Sequence, residues 1–318
     1  MNLDWLNSIY FTDIEIRYIA LNTGYLGHFA GRKFRAVLKS ILQSQSPCLD
    51  QRDMNCASCL LKTKCPFFLL NGSEFKPYLI QVNDGAANNN GAFVPGRECS
   101  FSLKLLGECS SKSEQITAEI KKKPLISIDG PGNKKLIFSL VSVVQNNGGH
   151  PVRLGDIVSS DNCPWNQQSG PIRQVTIEFT TPMAFKYKNK TLTEPNDFTF
   201  PVFMEAIIRR LGNIAKILCG FTGRIPATDT ILQETGDVAV IQWPGFRFVN
   251  NKANKAYKIK SHGGKTEEYI GGLKGGLSLV GNLDPCFPLV AAASSLNIGR
   301  HTTQGMGHFQ IIDVGCQS

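Results

Sequence analysis

The stretch Asn297–Gln310, NIGRHTTQGMGHFQ, holds three glycines in a fixed frame, Gly299, Gly305 and Gly307, with Arg300, His301 and His308 beside them. Glycine admits positive φ and lets backbone come close to a ligand. Exposed backbone N–H groups, helped by a cation, suit a phosphate chain. Histidine is the natural proton-transfer group, because its ordinary pKa of about 6.5 lies near working pH. The chain has five: His28, His150, His262, His301 and His308. Tyr25 stands three residues before His28, and Arg32 and Lys33 follow within a turn or so. No cluster of Asp and Glu has the look of a catalytic magnesium site, so two-metal chemistry is not expected.

A second constellation is Cys48, Cys56, Cys59 and Cys65, spaced C-x7-C-x2-C-x5-C. A CxxC knuckle with two outlying thiolates can close a tetrahedral zinc site. Four ligands leave no open coordination position, so the expectation is a structural zinc and no metal chemistry. The stretch is poor in apolar residues, and zinc can supply on the order of 10 kcal/mol of folding free energy to such an insertion.

The elements that must carry these groups are legible in outline. Phe11–Leu21 alternates as a strand, NTGYLGH makes a glycine turn, and a helix runs from about Phe29 to Gln43. His28, Arg32, Arg35 and Lys39 fall at helical spacing on one face of it. Phe67–Val82 reads as strand and loop, Glu98–Leu106 as a strand, Ser110–Lys123 as a helix and Lys135–Val144 as a strand. A loop and linker put the domain boundary near 165–172. Ile172–Phe179 is then a strand, Phe200–Cys219 a helix, Gly271–Gly281 a glycine-rich strand and Phe287–Leu296 an apolar helix. Strand, short segment and helix thus recur, an order that supports two similar folds in tandem, and the opening strand, glycine turn and helix suit the start of a ferredoxin-like domain.

The chain has 318 residues, 42% apolar and 19% charged, with a net charge of +9. That length suits two domains, and that charge suits an anionic partner. Trp243–Gly276 has seven Lys or Arg against two Glu, among them Arg247, Lys258 and Lys260, with His262 alongside. Phe246, Phe248, Tyr257 and Tyr269 interleave with these charges, and NNKANK looks like a hairpin tip. Such rings either stack on bases or belong to the core. No apolar run approaches the ~20 residues of a spanning helix. The N-terminus lacks the pattern of a signal peptide, so the expected location is the cytoplasm, where cysteines are thiols or metal ligands.

GRHTTQGMG at 299–307, the preceding GGLKGGLSLVGNL, and TPMAFK followed by FTFPVFMEAIIRRL together resemble the CRISPR-associated endoribonucleases of the RAMP superfamily that process repeat RNA. Their signature is a loop of the form G-x5-G-x-G with an apolar residue between the last glycines and a basic one inside. The cysteine cluster after the first helix resembles the zinc-finger-bearing branch. The resemblance implies an α+β chain of two tandem ferredoxin-like (RRM-like) domains. Residues 1–170 would form the first, with a four-cysteine zinc-binding insertion at about 47–66. Residues 171–318 would form the second, with the glycine-rich loop at 299–307.

It also implies a metal-independent cut. A base takes the 2′-hydroxyl proton, the oxygen attacks the adjacent phosphate, and an acid protonates the leaving 5′-oxygen. The products are a 2′,3′-cyclic phosphate and a 5′-hydroxyl. In the family the catalytic histidine commonly follows the first strand, where His28 lies. Tyr25 then positions or transfers a second proton, and Lys33 or Arg32 stabilises charge. His301 is the rival base; otherwise it contacts RNA with Arg300 and the loop glycines. His308 is expected to be structural. The implied partners are precursor and mature CRISPR repeat RNA, with an effector complex possible and no membrane. A non-catalytic RAMP subunit that only holds guide RNA is the alternative function. An unrelated zinc-ribbon nucleic-acid module is a third.

Overall fold

The computed structural model describes residues 3–27, 29–44, 56, 59–62, 64–82, 92–130, 134–159, 170–187, 190–250 and 271–316. The first domain runs β1 (Tyr10–Ala20), β2 (Gly24–Tyr25), α1 (Ala30–Ser44), α2 (Pro66–Asn71), β3 (Tyr78–Val82), β4 (Ala92–Phe93) and β5 (Glu98–Leu106). It continues with α3 (Ser113–Lys121), β6 (Leu125–Asp129), β7 (Lys135–Gln145), β8 (Val152–Arg153) and α4 (Leu154–Ser159). Its antiparallel sheet has the order β3-β5-β1-β7-β6, with β8 on the end of β1, and β2 pairs with β4. Setting the edge strand β6 aside, this is the β-α-β-β-α-β pairing of a ferredoxin-like fold.

The second domain repeats that pairing. It comprises β9 (Ile172–Met183), the short hairpin β10 (Lys186–Tyr187) and β11 (Lys190–Thr191), α5 (Phe200–Asn213), α6 (Thr228–Thr235), β12 (Ala239–Gln242) and β13 (Arg247–Asn250). Then come β14 (Gly271–Val280), α7 (Phe287–Leu296) and β15 (Phe309–Cys316). The sheet order is β12-β14-β9-β15, and β13 also pairs with β14. The chain is therefore α+β with two tandem ferredoxin-like units, as its sequence predicts.

Two of the predicted elements differ. The stretch after Cys65 opens as the helix α2 rather than as strand and loop, because Pro66 sits at its first turn, where the missing N–H costs nothing. The helix from Phe200 ends at Asn213 and closes in a π-turn over Ile214–Leu218. The expected hairpin tip, NNKANK, begins at Asn250, the end of β13, and its remaining residues lie outside the described ones.

One apolar cluster fills the first domain beneath α1 and α3, with Phe34 stacked on Phe101 at 4.5 Å. The other fills the second domain and takes in Trp5, Ile9, Phe11, Leu79, Leu106 and Leu154 from the first. A shared core of this kind fixes the two units to each other.

Candidate functional site

The glycine-rich loop lies in the seam between the domains. Gly299, Gly305 and Gly307 all have positive φ, at 81°, 78° and 77°. A Cβ at Gly307 would fall 1.7 Å from the Ile298 carbonyl oxygen, so that position admits only glycine. A Cβ at Gly31, in the first turn of α1, would fall 2.8 Å from the Gly305 Cα and 2.5 Å from the Gln304 carbonyl oxygen. The loop thus touches the N-terminal turn of α1, just past the segment that carries Tyr25 and His28.

A buried polar seam holds the loop there. Asn297 is fully buried with φ 51°. Its amide donates to the carbonyls of Ile80 and Met306, each at 3.2 Å, and accepts from Gln81 Nε2 at 2.8 Å. Lys104 Nζ donates to the Ser295 carbonyl at 2.7 Å, at the C-terminal end of α7, and lies 5.2 Å from the centroid of the Phe11 ring. Burial lowers the Lys104 pKa, and Asp13 opposes that shift. His308 Nδ1 pairs with Thr180 Oγ1 at 3.0 Å. Burial, helped by the Lys104 charge, pushes His308 down to about 4, so it is neutral at working pH. Sequence reasoning did not find Asn297, Gln81 and Lys104. Each looks like an ordinary polar residue until the domains meet.

Five of the amides expected to cradle phosphate are spent within the fold. The N–H groups of Arg300, Gln304, Gly305, Met306 and Gly307 donate to carbonyls of Ala184, His301, Thr302, His301 and Pro182. Folding the loop tightly onto β9 and onto itself consumes them. The loop offers side chains instead: Arg300 is exposed, and His301 is half-buried at φ 60°.

Around α1 the predicted site residues divide into two groups. Tyr25, on β2, and Lys33 both meet the end of β6. Lys33 Nζ donates to the Asp129 carbonyl at 2.7 Å, and the Tyr25 carbonyl comes within 3.2 Å of where a Cβ on Gly130 would stand. Burial lowers the Lys33 pKa, and Asp129 raises it in part. Arg32 turns away into a cleft of about 520 Å³, with Arg35 and Lys39 from α1, Lys76, the edge of α2, and Gln304 from the loop. No carboxylate is among the described residues that line it. Burial lowers the Lys76 pKa, and the charges of Arg35 and Lys39 add to the shift. The helical spacing of Arg32, Arg35 and Lys39 was the available signal for this cleft. Nothing in the sequence marked Lys76.

His28 lies outside the described residues, as do Cys48, Lys258, Lys260 and His262. Arg247 is exposed on β13. Phe246 and Phe248 belong to the core: Phe246 packs 5.6 Å from Phe198 and 6.4 Å from Phe179, and Phe248 lies against the same cluster. Of the two alternatives open for these rings, Phe246 and Phe248 take the core. Among the described residues no group of three His, Cys, Asp or Glu is placed to hold a metal, so Cys56, Cys59 and Cys65 do not by themselves form a ligand set. Cys65 is buried at the N-cap of α2. No helix among the described residues is long and apolar enough to cross a membrane.

The model of the CRISPR-associated endoribonuclease Cas6 family matches residues 177–309, which include the whole loop. Residues 9–168 match a family described as an N-terminal domain, AF_1859_N. No curated protein matches the chain. Among solved structures the fold is similar to a Cas6 product complex, with TM-score 0.55 and 13% identity over 95% of this chain and 99% of that one. It is also similar to Thermus thermophilus Cas6, with TM-score 0.53, 13% identity and coverage of 95% and 98%. A Cas6-related protein from Pyrococcus furiosus gives TM-score 0.51 and 12% identity over 95% and 99%. With the glycine frame seated between two ferredoxin-like units, residues 177–309 carry the domain of the CRISPR-associated endoribonuclease Cas6, and the chain as a whole shares the fold of those Cas6 structures.

Proposed function

We propose that the protein cuts precursor CRISPR RNA within its repeats, without a catalytic metal, by attack of the substrate's own 2′-hydroxyl. The observation that carries this reading is the contact of Gly31 with Gly305. It brings the segment before α1, the glycine-rich loop and a cleft lined by cations against one another. One RNA strand can then meet a proton-transfer group and several positive charges together.

In this reading His28 removes the 2′-hydroxyl proton. The freed oxygen bonds to phosphorus, the P–O5′ bond breaks, and a second group returns a proton to O5′. Tyr25 positions the ribose or serves as that second group. Lys33 stands on the Tyr25 side and stabilises the phosphorane; a side-chain ammonium keeps donors beyond the one given to Asp129. Arg32 faces the cleft with Arg35, Lys39 and Lys76, and holds a neighbouring phosphate. Arg300 and His301, with Gly299, Gly305 and Gly307 shaping their loop, contact the strand near the cut. Arg247, Lys258, Lys260 and His262 carry the flanking RNA. Cys48, Cys56, Cys59 and Cys65 hold a structural zinc. The enzyme works in the cytoplasm and stays with its mature guide, alone or in an effector complex.

The test is incubation of the pure protein with repeat RNA in EDTA, using all-ribose substrate and a copy with a single 2′-deoxy residue at the cut. Cleavage of the first only, leaving a cyclic phosphate, is expected. Tight binding with both RNAs intact would favour a non-catalytic guide-holding subunit.

A further inference from the structure

We propose that Trp243 is a stacking platform for one unpaired nucleobase, on the open face of the second sheet and apart from the glycine-rich loop. This rests on the reading of the protein as an RNA binder and adds a base-binding position to it.

Trp243 follows β12 and is 42% exposed, although its ring is tightly held. A Cβ at Gly276 would fall 2.6 to 3.2 Å from three atoms of the benzo ring, so the indole occupies the space that any side chain there would fill. Its Nε1–H donates to Ser278 Oγ at 3.2 Å, and that hydroxyl is paired with Thr176 Oγ1 at 3.1 Å. The Trp243 N–H donates to the Gly276 carbonyl at 3.0 Å, and the Trp243 carbonyl accepts from Phe246 N–H at 3.0 Å. Phe246 is anchored in the core. One ring face is thus spent on the strand while much of the ring stays in water.

Leaving 42% of a large aromatic in water forgoes part of its hydrophobic gain. A pre-oriented ring, by contrast, takes a base at little conformational cost, and stacking tolerates any base because each has a π-face. The neighbours suit a nucleotide. Lys274, Gly276 and Ser278 alternate with the buried Leu273, Leu277 and Leu279, so they share the open face. Arg247 pairs with Lys274 in the β13–β14 register and stands between Phe246 and Phe248, whose rings go to the core. Two cations therefore share the sheet face of the ring and can meet phosphate, alongside the carboxylates of Glu178, opposite Gly276, and Asp313, opposite Thr176.

The experiment compares binding of single-stranded repeat RNA by wild type, Trp243→Ala, Trp243→Phe and Lys274→Gln over a salt series. Trp243→Ala should weaken binding about 5- to 150-fold with an unchanged salt slope. Trp243→Phe should stay within about threefold, and Lys274→Gln should reduce the slope by about 0.7. One abasic position in the RNA should erase the Trp243→Ala deficit. If Trp243→Ala does not fold, Trp5→Phe/Trp165→Phe protein leaves Trp243 as the sole tryptophan, and its emission should be quenched by bound RNA. Wild type that binds RNA, with Trp243→Ala binding equally or with unquenched emission, overturns the platform alone. Wild type that ignores RNA at low salt removes the proposed function as well.

Discussion

The Cα atoms of Gly31 and Gly305 face each other across the domain seam so closely that a methyl group on Gly31 would stand 2.8 Å from the Gly305 Cα and 2.5 Å from the Gln304 carbonyl oxygen. The obstacle is backbone on both counts, so it cannot swing aside. Gly31→Ala must lift the loop from the helix. Overpacking of this kind costs about 1–3 kcal/mol. We expect a lower melting temperature and a fall in repeat cleavage larger than the fall in RNA affinity. Gly305→Ala should do the same, with added strain from its φ of 78°. Unchanged melting and cleavage in Gly31→Ala would mean that the seam does not organise the site.

Two histidines compete for the role of base, one next to each segment in sequence. His28 precedes α1, and His301 lies in the loop that touches α1. Loss of a general base costs roughly 10²–10⁴ in rate and little in binding. His28→Ala should therefore lower single-turnover cleavage at least about tenfold while repeat RNA still binds. His301→Ala should act mainly on affinity. A rate loss confined to His301→Ala would move the base to the loop.

The cysteine proposal has its own readout. Cys65 caps α2, and α2 forms one wall of the cation-lined cleft, together with Cys56. A zinc held by Cys48, Cys56, Cys59 and Cys65 would brace that wall. Elemental analysis should give about one zinc per chain. Cys56→Ser with Cys59→Ser should lower the melting temperature before it alters the chemistry of the protein that remains folded. A metal-free, well-folded wild type would end the assignment.

Local pattern carried most of the fold. Strand β5 spans Glu98–Leu106, where apolar alternation puts it, and the glycine frame at 299–307 marked the loop. What escaped sequence reading depends on residues far apart in the chain. Gln81 and Asn297 bond across 216 positions, and no periodicity reports such a pair. The loop amides looked available to phosphate because the partners that consume them, such as Pro182 and Ala184, lie more than a hundred residues upstream. Trp243 was passed over for Phe246 and Phe248. Interleaving with charge does not reveal which rings face the core, and only the seat on Gly276 separates them.

His308 gives the seam a pH signature. Its imidazole is buried against Thr180 Oγ1 near Lys104, and its pKa is pushed down to about 4. In the unfolded chain it returns to about 6.5, so between these values the unfolded state binds the extra proton. The contribution is fully present above pH 6.5 and is lost as pH falls towards 4. Over that window the loss amounts to about 3 kcal/mol at most. His308→Asn keeps a polar atom near Thr180 but has nothing to titrate. Urea unfolding at several pH values should show wild type losing more stability than His308→Asn between pH 6.5 and 4, with parallel behaviour above pH 7. Parallel curves through the whole range would mean that the histidine is not held neutral in the seam.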